Sequence, residues 1–76
     1  MQNEQNNQKQ QALDAIMNLI NEYNNEHTAM WKERSEIVDT TRRSQMLKME
    51  QLTRGIKRAT HSINALHEAY ERVRFL

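Results

Sequence analysis

The stretch Asp39-Thr40-Thr41-Arg42-Arg43-Ser44 decides the fold, because it lies between two heptad seams that are out of phase with each other. Its first four residues are the only such window between Ala12 and Leu76 that joins three capping-type side chains to no apolar one. Side chains of that kind offer the backbone local hydrogen bonds in place of helical ones. The stretch therefore reads as a turn.

Before it, Leu13, Ile16, Ile20, Tyr23, His27, Met30, Arg34 and Ile37 recur in strict 3,4 alternation, the a and d positions of a heptad. After it, Met49, Leu52, Ile56, Ala59, Ile63, Leu66, Tyr70 and Val73 do the same. Leu13 and Met49 are 36 residues apart, one more than five heptads. One long helix would have to absorb that slip by a local change of winding. A turn near residues 40–45 absorbs it and pairs the seams in layers, Leu13 with Val73, Ile16 with Tyr70, Ile20 with Leu66 and Tyr23 with Ile63. The layers continue with His27 on Ala59, Met30 on Ile56, Arg34 on Leu52 and Ile37 on Met49. Two helices of nearly equal length result, each roughly 45 Å at 1.5 Å per residue. The expected fold is an all-α antiparallel helical hairpin. A three-helix alternative breaks the chain at Asn24-Asn25 and Gly55, giving helices near 11–24, 26–53 and 56–76, but the first seam passes through both asparagines without losing phase.

Charge agrees with the hairpin. Residues 22 to 39 carry net −3 and residues 47 to 64 net +3, so folding back sets opposite signs side by side. Eight of the first eleven residues are Asn or Gln, which reads as a flexible polar arm over 1–10 ahead of a hairpin domain over 11–76.

The chain has 76 residues, no cysteine, no proline and one glycine. So short a chain buries little apolar surface, and without disulfides it is expected to gain stability from oligomerisation or a partner. Apolar side chains beyond the seams fit that expectation. Met17, Trp31, Val38 and Met46 fall at e positions, and Phe75 and Leu76 close the sequence. A stripe of a, d and e suits a helix with two neighbours, as in a four-helix bundle formed by dimerisation or with a helical partner protein. These six residues are the candidate partner-binding or oligomer surface, with Trp31 as the amphipathic anchor. The layout resembles small antiparallel hairpins that dimerise into four-helix bundles, such as the plasmid-copy-number regulator Rop and the small helical chaperones of type III secretion. That likeness implies assembly by helix faces. No sequence motif of either group accompanies it, and the Trp-x-Gly turn of another class of secreted hairpins is absent, Trp31-Lys32-Glu33 lying inside the first helix.

Chemistry is poorly provided for. There is no glycine-rich loop, no thiol and no serine with a base and acid at fixed spacing, so no enzyme activity, cofactor or small-molecule substrate is expected. His67 and Glu71 share a helix face, but His67-Glu68-Ala69-Tyr70-Glu71 lacks a second histidine, and His27 and His61 point elsewhere, so no metal site is expected either. His27 and Arg34, both at a positions, read as polar layers that fix register, the arginine reaching outward toward a glutamate. Arg43, Arg54, Lys57 and Arg58 fall at b, c and f positions and form an outward basic stripe on the second helix. This stripe is the candidate site for the alternative function, a Rop-like RNA- or DNA-binding regulator, or for an acidic partner. No apolar run reaches the length of a transmembrane span, and the first residues carry neither a basic nor an apolar signal region, so a cytoplasmic protein without membrane contact is expected.

Overall fold

The computed structural model describes the backbone of residues 2–76 and the side chains of residues 7–76. It contains two helices, α1 over Gln2–Ser35 and α2 over Arg43–Arg74, packed antiparallel as a hairpin. The result is a rod of 63 × 15 × 12 Å. Neither Asn24-Asn25 nor Gly55 interrupts a helix, so the three-helix alternative is not what forms.

The least exposed residues of α1 fall on its seam. Leu13 and Ile20 are buried, and Ile16, Tyr23, His27, Met30 and Arg34 are half-buried. Lys9 continues the same spacing and is half-buried too. On α2, Ile56 and Ala59 are buried, and Met49, Leu52, Ile63, Leu66, Tyr70 and Val73 are half-buried. Polar cross-helix contacts fix the register. The Arg34 Nε–H donates to Thr53 Oγ1 at 3.1 Å, and His27 Nε2 lies 3.2 Å from Thr60 Oγ1. Both contacts fall one residue away from the layers that pair Arg34 with Leu52 and His27 with Ala59.

The turn lies earlier than the capping residues suggest. The connection spans residues 36–42, and Arg43, Ser44 and Gln45 already belong to α2, so the expected bounds of 40–45 are corrected toward the first helix. At the end of α1 the Glu36 N–H is shared between the carbonyls of Lys32 and Glu33, and the Ile37 N–H tightens onto Arg34 O, each at 3.2 Å. Lys32 and Arg34 in that last turn complement the helix dipole. Beyond it, the Asp39 carboxylate accepts both the Thr41 backbone N–H at 3.0 Å and the Thr41 hydroxyl, closing a local turn. Asp39 thus serves the loop and does not cap α2. The N-cap is Arg42, in extended conformation and without a side-chain cap bond. Ile37 remains half-buried after leaving the helix, whereas Val38 beside it is 92% exposed.

At the opposite end, helical geometry begins at Gln2. Gln and Lys are good helix formers, and no Gly or Pro stands in that stretch. Within it, Met1 lies outside the described residues, as do the side chains of the first six positions. Among the described residues, no helix is long and apolar enough to cross a membrane.

The opposed charge of the two helices yields little direct pairing. Among the described residues, one ion pair crosses the hairpin, Lys48 Nζ to Glu33 Oε1 at 3.1 Å. The others, Arg42 with Asp39, Arg72 with Glu68 and Arg74 with Glu71, are local. Exposed pairs of this kind contribute at most about 1 kcal/mol each. The hairpin is therefore held by its apolar layers.

Candidate functional site

In an antiparallel pair of helices the e positions of both flank the seam on one side and the g positions on the other. Met17, Trp31 and Met46 thereby line one side of the rod, whereas Val38 lies past the end of α1 in the connection, where helical spacing no longer sets its side. Trp31 is 47% exposed, and Met17 and Met46 show comparable surface. Trp31 is also held in place. The His27 ring meets it edge-on with centroids 6.3 Å apart, and the Arg34 guanidinium lies 5.3 Å from its centroid. His27 and Arg34 are in turn tied to Thr60 and Thr53 at e positions of α2. Each threonine hydroxyl also donates to a carbonyl one turn back, Thr53 to Met49 O at 2.8 Å and Thr60 to Ile56 O at 3.0 Å. A side chain that would otherwise swing freely is thus oriented by a four-residue polar frame.

The frame corrects one expectation. Arg34 reaches a threonine and the indole face, and no glutamate stands within ion-pair distance of it among the described residues. The frame is also the part of the site that periodicity alone misses, because Thr53 and Thr60 are not apolar. Their signal was present as hydroxyls at e positions, level with the two polar a positions.

Phe75 and Leu76 do not join this side. They follow the end of α2, at the end of the rod away from the turn, where both are exposed and the Arg74 guanidinium lies 5.6 Å from the Phe75 centroid. The six candidate interface residues therefore divide into a lateral strip, Val38 in the connection and an end group. Leu19 and Leu47, also exposed, lie at g and f positions off the strip.

The other side of the rod carries an open groove of about 340 Å³ lined by Tyr23, Glu26, Met30, Gly55, Arg58, Ala59 and Ser62. Gly55 creates it and Met30 partly fills it, since a Cβ at Gly55 would stand 2.6 Å from Met30 Sδ. No cluster of three or more His, Asp or Glu side chains able to hold a metal occurs among the described residues. Arg43, Arg54, Lys57 and Arg58 are exposed along the outer face of α2, and none has a carboxylate within 4.0 Å among the described residues.

Compared with protein families, with curated proteins and with solved structures, the chain matches none.

Proposed function

We propose that this chain is a small non-catalytic interaction protein, an adaptor, chaperone, inhibitor or self-assembling unit, that presents one side of a helical hairpin to another helical surface and is completed there into a four-helix bundle. The observation that carries the reading is the Trp31 strip. A large amphipathic ring is oriented by His27 and Arg34 yet left 47% exposed, on the same side as Met17 and Met46. Binding surfaces concentrate their energy in such fixed aromatic anchors. An oriented anchor also loses less freedom on binding than a mobile one.

A second reading rests on the basic stripe. Four exposed cations on one helix face, without carboxylate partners among the described residues, can neutralise phosphates, as an RNA- or DNA-binding regulator requires. No aromatic side chain stands among them for base stacking.

One experiment separates the two. Retention of protein and of nucleic acid on the immobilised chain is compared for wild type, for Met17→Glu with Trp31→Ala, and for Arg54, Lys57 and Arg58 all changed to Ala. The interaction reading expects protein retention to be lost in the first variant and kept in the second. Loss of nucleic-acid retention confined to the triple variant favours the second reading, and indifference to both sets defeats both.

A further inference from the structure

The hairpin exposes far more surface than its mass requires. A folded chain of 9.1 kDa is expected to expose about 4,900 Å² from the scaling of accessible surface with mass, and this one exposes 6357 Å². The excess, about 1,500 Å², comes with the slender shape, and it leaves room for the roughly 800 Å² that each partner buries in a standard complex. Among the described residues, only Leu13, Ile20, Ile56 and Ala59 are buried within the single chain.

The strip also matches itself. The e positions within α1 run Gln10, Met17, Asn24 and Trp31, with Met17 and Trp31 equidistant from Asn24. Reversing this ladder about Asn24 places Trp31 on Met17 and Asn24 on Asn24. Trp31 and Met17 each stand about 10 Å along the helix from the centre. A thioether against an indole is a favourable contact, and paired asparagines across a helical interface fix register. The same reversal opposes no like charges along α1: Asp14 and Arg34 lie ten residues to either side of Asn24, at the same height but on opposite flanks of the e ladder. On α2 it brings Glu50 toward the second copy's last turn, where Arg74 holds the e position. The acidic column Glu22, Glu26, Glu33 and Glu36 sits at g and c positions, on the opposite side, and meets nothing of like sign.

Resting on the interaction reading above, we propose that the occupant of the Trp31 strip is a second copy of this chain, laid with its turn at the opposite end on a two-fold axis near Asn24, so that Trp31 of each copy packs on Met17 of the other. The same-end arrangement fits less well. It sets Trp31 on Thr53, whose hydroxyl is already shared between Arg34 and Met49 O.

The test uses the full chain. Sedimentation velocity is expected to give twice the 9.1 kDa of one chain, with the dissociation constant raised at least tenfold by Trp31→Ala. The chain has no cysteine, so Asn24→Cys introduces a single thiol. Mild oxidation should join it copy to copy, because only residues near a two-fold axis meet their own kind within disulfide reach. Glu26→Cys, on the other side, should not cross-link, and far-ultraviolet circular dichroism confirms that each variant remains helical. A dimer that cross-links only when Asn24→Cys is mixed with Thr60→Cys overturns the opposite-end arrangement. A monomer at every concentration overturns the second copy as occupant. In that case the interaction reading survives if changes on the strip still abolish retention of another protein, and falls with it if they do not.

Discussion

Gly55→Ala, measured alone and in a Met30→Ala background, tests the register of the hairpin at its tightest point. Glycine inside a helix costs about 1 kcal/mol relative to alanine, so with nothing in the way Gly55→Ala should stabilise the fold by about that much. Something is in the way, because the new Cβ would stand 2.6 Å from Met30 Sδ. The atom in question ends a flexible side chain, and the adjoining groove of about 340 Å³ gives it somewhere to go. Moving it off its rotamer costs of order 0.5–1.5 kcal/mol, leaving a wild-type effect between a gain of about half a kcal/mol and a small loss. Met30→Ala removes the obstacle, and there the full gain of about 1 kcal/mol returns. The coupling between the two changes is thus about 0.5–1.5 kcal/mol, readable against the few tenths by which independent sites depart from additivity. Met30 is half-buried, so truncating it should cost no more than the low end of the core range, about 2 kcal/mol. A fold of 76 residues holds about 4–11 kcal/mol in total, so every corner of the cycle remains folded in water. Urea titrations followed by circular dichroism at 222 nm, at one fixed chain concentration, supply the four free energies. Additive effects, or a coupling of opposite sign, would show that Met30 does not sit on Gly55 and that the register is wrong.

Three further outcomes follow from named contacts. Ile20 is 2% exposed, so Ile20→Ala should cost about 2–4 kcal/mol and lower Tm by 10 °C or more, whereas Val38→Ala, at a position 92% exposed, should change the monomer's stability by less than about 0.5 kcal/mol; equal effects would contradict the burial pattern. The Thr41 hydroxyl, followed by the Thr41 backbone N–H, holds the Asp39 carboxyl below its ordinary value of 3.8. A carboxyl with a depressed native pKa stabilises the turn above the unfolded value and loses that contribution as pH falls through the native one. Carboxyl-detected NMR should therefore find Asp39 titrating below 3.8, and Thr41→Ala should move the midpoint upward; a midpoint at or above 3.8 removes the proposed hydrogen bonds. Lys48 and Glu33 form an exposed pair, so Lys48→Ala should cost under about 1 kcal/mol at low salt and nearly nothing in 1 M salt; a larger, salt-independent loss in thermal melts would mean that the pair is not solvated as it stands.

The helical class and the identity of the seam were determined by the sequence alone, because heptad spacing is a local property. A residue three or four places from the last one lies on the same face whatever the rest of the chain does. Ile20 and Ile56 are core for that reason, and the phase slip between the two seams, together with the capping residues that lie in it, pointed to a fold-back there. The e-position strip was legible in the same way, since Met17 and Trp31 inherit their side from the seam beside them.

The bounds of the turn were decided by the tertiary structure. Capping residues mark where a helix can stop, and Asp39, Thr40, Thr41 and Ser44 all qualified. The chain stops sooner because Ile37 leaves the helix while keeping its place near the seam, and because Asp39 is consumed by Thr41 and is no longer free to cap α2. Likewise, charge balance predicted that opposite signs would face each other, yet one ion pair crosses among the described residues, since pairing needs particular atoms within about 4 Å and not merely opposed columns. Arg34 on Thr53, His27 on Thr60 and Met30 on Gly55 depend on the rotation and register of two helices whose contacting residues are 19 to 33 positions apart. Periodicity assigns a residue to a face of its own helix; only the packed pair decides which atom of the other helix it meets.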